Sequence, residues 1–243
     1  MSVPSTFTDV AALIGEPARA AMLLALFDGR ALPAGELAFA AAVTPQTAST
    51  HLAKLLAGGL LACETQGRHR YYRLAGAHVA QAIEYLSAIT PVMQVTLKPQ
   101  DPHAQGLRFA RCCYNHLAGQ LGVALTQALE DRGYIHAAPD KRYALQPAGE
   151  RWFAALGIDL SALKPTRQGV AGQCLDWTER THHLAGPLGV QLLSALCEAG
   201  WLRRSKNSRA VLVTPKGWAQ LKAQLNLNPR TLENLEHNRA LAG

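Results

Sequence analysis

Two groups of side chains in this sequence have types and spacings that can do chemistry. The first is rich in thiols and imidazoles. Cys112, Cys113 and His116 fall within five residues, and Cys174, Asp176, Trp177, Glu179, His182 and His183 within ten. At helical spacing either thiol of the first set lies at i, i+3 or i+4 from the imidazole. Thiolate, imidazole and carboxylate together ligate zinc or a softer metal, and a thiol activated by histidine responds to oxidants or electrophiles. The spacing matches no established metal motif. The competing reading makes Cys113 and Cys174 small buried apolar groups and His116 and His183 packing or capping residues. The sensing candidates are Cys112, Cys113, His116, Cys174, Asp176, Trp177 and His183, for a metal ion or a small molecule, with no cofactor assigned. Trp152, Trp177, Trp201, Trp218 and Tyr114 also suggest an apolar ligand pocket, or simply core.

The second group consists of hydrogen-bonding and basic residues on one helix and one turn. Val43-Thr44-Pro45 supplies an N-cap threonine and a first-turn proline, so a helix starts at Pro45 and stops at Gly58-Gly59. A shorter helix is expected over 34–42 before it. Ala48, Leu52, Leu55 and Leu56 form an inward stripe. Thr44, Gln46, Thr47, Ser49, Thr50, His51 and Lys54 lie on or near the outer face, with lengths suited to base edges and phosphates in a major groove. Two segments of strand composition follow, 60–65 and 71–74, with Gln66-Gly67-Arg68-His69-Arg70 as the turn between them. Arg68, His69, Arg70 and Tyr71 complete the candidate DNA-binding set, and Arg68 and Arg70 concentrate charge at the tip. The order of helix, turn, polar-faced helix, glycine stop, strand, basic tip, strand and helix is that of a winged helix-turn-helix.

These elements sit in a chain of 243 residues, 49 % hydrophobic, with a net charge of +7. Such a chain can bury a real core, and its basic balance suits an anionic partner such as double-stranded DNA. Charge alone would misplace the site. Residues 1–98 carry 7 Lys+Arg against 6 Asp+Glu, so most of the excess lies in the second half. Five cysteines without a CxxC pair argue against a disulfide framework or a zinc ribbon. No apolar run is long enough to cross a membrane and no signal-peptide pattern opens the chain, so the expected location is the cytoplasm.

The proline-containing stretch 96–103 reads as a linker between a winged helix-turn-helix domain, 1–95, and a second domain, 104–243. The second contains a repeat. His116-Leu117-Ala118-Gly119-Gln120-Leu121-Gly122-Val123 returns 67 residues later as His183-Leu184-Ala185-Gly186-Pro187-Leu188-Gly189-Val190. Each copy reads helix, glycine stop, hairpin, helix, a duplicated winged-helix-like unit. The expected fold class is mainly α with small β-hairpins, an α+β arrangement. Arg203, Arg204, Lys206 and Arg209 decorate the last hairpin, either as a solvated turn or as a second phosphate contact.

The first 95 residues resemble the ArsR/SmtB family of bacterial repressors. The likeness is carried by Leu13-Ile14-Gly15-Glu16-Pro17-Ala18-Arg19, by Thr47-Ala48-Ser49-Thr50-His51-Leu52-Ala53-Lys54-Leu55 with Gly59-Leu60-Leu61, and by Gly67-Arg68-His69-Arg70-Tyr71-Tyr72-Arg73-Leu74. The resemblance implies a homodimer on a palindromic operator, with the first helix and the helix after the wing making the dimer contact. Val79, Ile83 and Leu86 offer that last helix an apolar face. The sequence departs from the family's metal-sensing members. Glu36-Leu37-Ala38-Phe39-Ala40-Ala41 stands where a Cys-x-Cys would be, and His78 and Glu84 do not make a dimer-helix metal set. The expected function is a DNA-binding regulator, a homodimeric repressor released from its operator by a ligand or thiol modification in the second domain. The alternatives are a protein-interaction module built on the same fold, and a thiol enzyme using Cys113 with His116 as base.

Overall fold

A computed structural model describes residues 6–66, 69–89, 102–113, 115–206, 208–229 and 232. The chain divides into two compact units, Met1–Ser87 and Ala88–Gly243.

The first unit opens with α1 (Phe7–Ile14), whose N-terminus is closed by a reciprocal capping box between Thr6 and Asp9. Glu16 caps α2 (Pro17–Ala25), accepting from the Ala18 and Arg19 N–H groups at 3.1 and 2.9 Å. The Arg19 side chain turns back to the last carbonyls of α1, Leu13 at 2.7 Å and Ala12 at 2.8 Å. The Glu16-Pro17-Ala18-Arg19 stretch is therefore the joint that fixes α1 against α2. Strand β1 (Leu32–Pro33) leads into α3 (Ala34–Ala40), which ends two residues short of its expected limit. Ala42 adopts a left-handed φ of 52° and turns the chain. Next come α4 (Pro45–Ala57), β2 (Leu61–Gln66), β3 (His69–Leu74) and α5 (Ala77–Ile89). The strands form an antiparallel sheet in the order β1-β3-β2. Met22, Leu23, Leu26, Leu37, Leu52 and Leu55 fill the core beneath it.

The second unit begins with α6 (Pro102–Phe109), so the last two residues of the expected linker are helical, while 96–101 lies outside the described residues. A first pass runs β4 (Arg111–Cys113), β5 (His116–Ala118), α7 (Gly119–Asp131), β6 (Ile135–Ala138), β7 (Arg142–Leu145) and α8 (Pro147–Ala155). A second pass runs β8 (Gly172–Leu175), β9 (His182–Ala185), α9 (Gly186–Glu198), β10 (Leu202–Arg204), β11 (Val211–Val213) and α10 (Pro215–Leu225). The expected α+β class is thus amended. Beyond small hairpins the unit has a four-stranded sheet, β6-β7-β8-β9, and the overall class is mixed α/β.

The two passes clasp each other by their strands. β7 of the first pairs with β8 of the second at Arg142–Gly172, and the bridge Arg111–Ala210 joins the first hairpin to the last. Leu121, Leu125 and Leu129 of α7 and Leu188, Leu192 and Leu196 of α9, matched at 67 residues, occupy one core. Gly122 and Gly189 occupy matching crossings, where an added Cβ would stand 2.7 Å from the Leu117 carbonyl oxygen and 2.6 Å from that of Leu184. Strand and helix approach closely there because no side chain intervenes.

Candidate nucleic-acid interface and buried cysteine–histidine cluster

Helix α4 owes its start to Thr44, whose hydroxyl accepts the Thr47 N–H at 3.2 Å, and to Pro45 at its first position. Ala48, Leu52 and Leu55 are fully buried and Leu56 half-buried, so the expected stripe faces inward. Thr44, Gln46, Thr47, Ser49, Thr50 and Lys54 are exposed together. The Ser49 and Thr50 hydroxyls donate to the carbonyls of Pro45 and Gln46, at 2.9 and 3.4 Å, four residues back along the helix. His51 differs from its expected outer placement. Its side chain is 15 % exposed and its Nδ1 stands 3.3 Å from Glu16 Oε2, which ties α4 to the start of α2. Backbone hydrogen bonds, the Arg19 N–H first, lower the Glu16 carboxyl below its ordinary value, and His51 adds to the effect.

Strands β2 and β3 pair in unbroken register from Leu61–Leu74 to Gln66–His69. The tip residues Gly67 and Arg68 lie outside the described residues, as does the His69 side chain. Arg70 is exposed; its Nε approaches the Cys63 sulfur at 3.4 Å and its guanidinium lies 5.6 Å from the Tyr72 ring centroid. Tyr72 anchors the strand in the core and Tyr71 is half-buried.

Cys112, Cys113 and His116 do not share a helical turn, contrary to the expectation. Cys112, Cys113 and His116 lie on the β4–β5 hairpin, where Cys113 and His116 are register partners, and helix α7 begins only at Gly119. Cys174 and His183 are register partners on β8–β9. The hairpins face each other. Cys113 Sγ and Cys174 Sγ are 4.0 Å apart, and His116 Nε2 and His183 Nε2 are 3.1 Å apart. Cys113, His116 and His183 are buried and Cys174 is half-buried. The hydrogen bond from Cys113, with those of His116 and His183, draws the Cys174 thiol far below the ordinary thiol range against the opposing effect of burial.

Sequence reasoning paired Asp176 with the thiols but missed its main partner, Arg111. Both are buried, and Arg111 donates to Asp176 Oδ1 at 2.8 Å. The same carboxylate accepts the Gly119 N–H at 2.7 Å and the Thr178 N–H and hydroxyl at 2.9 and 2.7 Å. It therefore caps the start of α7 from a distant loop. Burial alone would raise the Asp176 carboxyl; Arg111, His183, Gly119 and Thr178 together hold it well below the usual carboxylate range. Trp177 lies against the Arg111 guanidinium, 5.1 Å from centroid to carbon. The other tryptophans have their own packing partners. Trp152 stacks on Tyr134 and donates to Gln224, Trp218 tilts against Phe109, and Trp201 is core. Tyr114 is outside the described residues. On the last hairpin Arg203, Arg204 and Lys206 are exposed while Arg209 is half-buried.

Residues 14–64 match a family described as a helix-turn-helix domain. The uncharacterized HTH-type transcriptional regulator YdfF of Bacillus subtilis (strain 168) is 41 % identical over 218 residues, 90 % of this chain and 96 % of that protein. Among solved structures, the cadmium sensor CMTR of Mycobacterium tuberculosis is 32 % identical over 33 % of this chain and 82 % of its own, with a TM-score of 0.29. The homodimeric winged helix-turn-helix DNA-binding domain Mb0332 of Mycobacterium bovis is 28 % identical over 34 % of this chain and 75 % of its own, with a TM-score of 0.32. Among the described residues no helix is long and apolar enough to cross a membrane. By its 41 % identity to a regulator that it matches over 90 % of its length, the chain belongs to the HTH-type transcriptional regulators, with a helix-turn-helix DNA-binding domain within residues 14–64.

Proposed function

We propose that this regulator is a homodimeric repressor that reads one operator half-site with each protomer. The α4 face, Gln46, Thr47, Ser49, Thr50 and Lys54, enters the major groove, with Thr44 at its mouth and His51 bracing the helix from behind. Arg68, His69, Arg70 and Tyr71 of the wing reach the flanking backbone or minor groove. The observation that carries this reading is that α4 exposes hydrogen-bonding side chains together on one side while burying its leucines on the other. A helix evolved to bind protein would expose apolar residues there.

Dimerisation is supported by the apolar residues left outside. Helix α1 buries none of its residues, and Phe7 is 88 % exposed. On α5, Val79 and Ile83 are buried, whereas Tyr85, Leu86 and Ile89 are exposed. The apolar surface available to a second copy is therefore displaced along α5 from the face read in the sequence. The second unit, read as a duplicated winged-helix-like module over 104–243, serves as the sensor whose occupied or modified state releases the DNA.

Sedimentation velocity with nuclease footprinting on DNA adjoining its own gene tests the proposal. A dimer protecting two inverted half-sites, centred about 10–10.5 bp apart or a multiple of that, is expected. A monomer protecting one unsymmetrical site contradicts it.

A further inference from the structure

The β4–β5 and β8–β9 hairpins present matching pairs of metal-binding side chains to each other. Within each hairpin the thiol and the imidazole come from directly opposed register positions, Cys113 with His116 and Cys174 with His183, so both project from one face. β5 lies against β9, which brings the two faces together. Their four ligand atoms all lie within 4.8 Å of one another. We propose that Cys113, His116, Cys174 and His183 form a four-coordinate site for a divalent transition-metal ion, zinc by its ligand chemistry, which clamps the two passes of the second unit at their junction.

The dimensions fit a tetrahedral ion. Zinc–sulfur and zinc–nitrogen bonds of about 2.3 and 2.0–2.1 Å imply sulfur–sulfur and nitrogen–nitrogen edges of about 3.8 and 3.3 Å. The corresponding separations are 4.0 Å between the sulfurs and 3.1 Å between the Nε2 atoms. Two thiolates and two neutral imidazoles around a divalent ion sum to no net charge, which a buried site requires. Two soft and two borderline ligands in a closed tetrahedral set are the zinc preference.

The surroundings of the rings point the same way. His116 Nδ1 is 3.3 Å from Asn115 Oδ1, and His183 Nδ1 is 3.7 Å from Asp176 Oδ2. A proton on His116 Nδ1 donated to the Asn115 oxygen turns that ring's Nε2 lone pair inward, the outer-shell arrangement that orients metal-ligating histidines. The Asp176 carboxylate stands beside the Nδ1 side of His183 without bonding to it. The 3.1 Å approach of the two Nε2 atoms is met in the empty site by one ring donating to the other, and in the loaded site by an ion bound to both lone pairs. The Arg111–Asp176 pair holds the carboxylate in place and leaves it neutralised. The site draws equally on both passes. Binding an ion therefore adds stability to their association rather than to either hairpin alone.

Full-length protein stripped of metal and titrated with Co2+ supplies the test. Uptake of one ion per chain, with a thiolate-to-cobalt charge-transfer band and the intense visible bands of tetrahedral cobalt, is expected, and Zn2+ should displace it. Cys113→Ser and His183→Gln should each weaken binding by more than the roughly 10–100-fold that losing an outer-shell partner costs. The Cys63→Ser, Cys197→Ser double variant should bind as the parent does. Should the ligand variants fail to fold, alkylation of the parent decides: Zn2+ should shield Cys113 and Cys174 and leave Cys63 as reactive as before. A folded parent that takes up no Co2+, or one whose Cys113 and Cys174 alkylate equally with and without Zn2+, overturns the proposal.

Discussion

His116 and His183, 67 residues apart in sequence, meet with their Nε2 atoms 3.1 Å apart and their ring centroids 5.0 Å apart inside the second unit. Each is the first residue of a matched His-Leu-Ala-Gly segment, so the repeat folds to bring its own equivalent positions face to face. The loop after Cys174 breaks the symmetry, and Asp176 within it binds Arg111 of the other pass.

Asp176→Asn leaves the Arg111 guanidinium buried without its counter-charge. A loss of about 3–5 kcal/mol in the stability of the second unit is expected, because an uncompensated buried charge costs that much. Urea unfolding followed by tryptophan fluorescence reads it, since all four tryptophans lie in that unit. A loss below about 1 kcal/mol would show that the pair contributes no more than a surface ion pair.

Gly217→Ala should disrupt the second unit severely. Its Cβ would stand 2.0 Å from the Trp201 carbonyl oxygen, and the matched Gly149 would meet the Tyr134 oxygen at 2.1 Å. Backbone rather than a flexible side chain must move, so the cost should exceed the roughly 1–3 kcal/mol of ordinary overpacking. Gly35→Ala in α3 meets nothing within 4 Å and serves as the control, neutral or stabilising by up to about 1 kcal/mol. Thermal unfolding of the two variants should separate them clearly.

How much of this was legible in the sequence depended on how local the determinants are. Thr44-Pro45 and Gly58-Gly59 set both ends of α4 by short-range capping, and the strand composition of 60–65 and 71–74 pointed to the wing, whose strands extend further into the expected 66–70 turn, to Gln66 and from His69. The β4–β5 hairpin was not legible. Cys113 and His116, three apart, suit a helical turn as well as a tight hairpin, and only pairing with distant strands decides between them. The Arg111–Asp176 contact spans 65 residues and has no local signature. The inward turn of His51 depends on Glu16 of another helix. The repeat was the one long-range signal in the sequence, and it placed His116 and His183 as equivalents without revealing that they touch.

Thr44→Ala should cost about 1 kcal/mol in the first unit through loss of the bond to the Thr47 N–H, and Thr44→Ser should restore most of it. Leu52→Ala, at a fully buried position of the same helix, should cost about 2–5 kcal/mol. Chemical denaturation of the three variants checks the ranking. Equal losses from Thr44→Ala and Leu52→Ala would contradict the placement of the helix faces.

Leu86→Glu combined with Ile89→Glu places two charges on the exposed end of α5 without touching the buried Val79 and Ile83. Sedimentation should show the variant as a folded monomer with weakened DNA binding. A dimer of undiminished stability would locate the contact elsewhere.

Whether α4 and the wing hold the DNA is tested most directly by the salt dependence of binding by a Lys54→Ala, Arg68→Ala, Arg70→Ala variant. The slope of log affinity against log salt should fall by about 1 for each lost phosphate contact, which is about 3 per protomer and about 6 for the dimer on both half-sites, with most of the affinity lost. An unchanged slope and unchanged affinity in the folded variant would contradict the account.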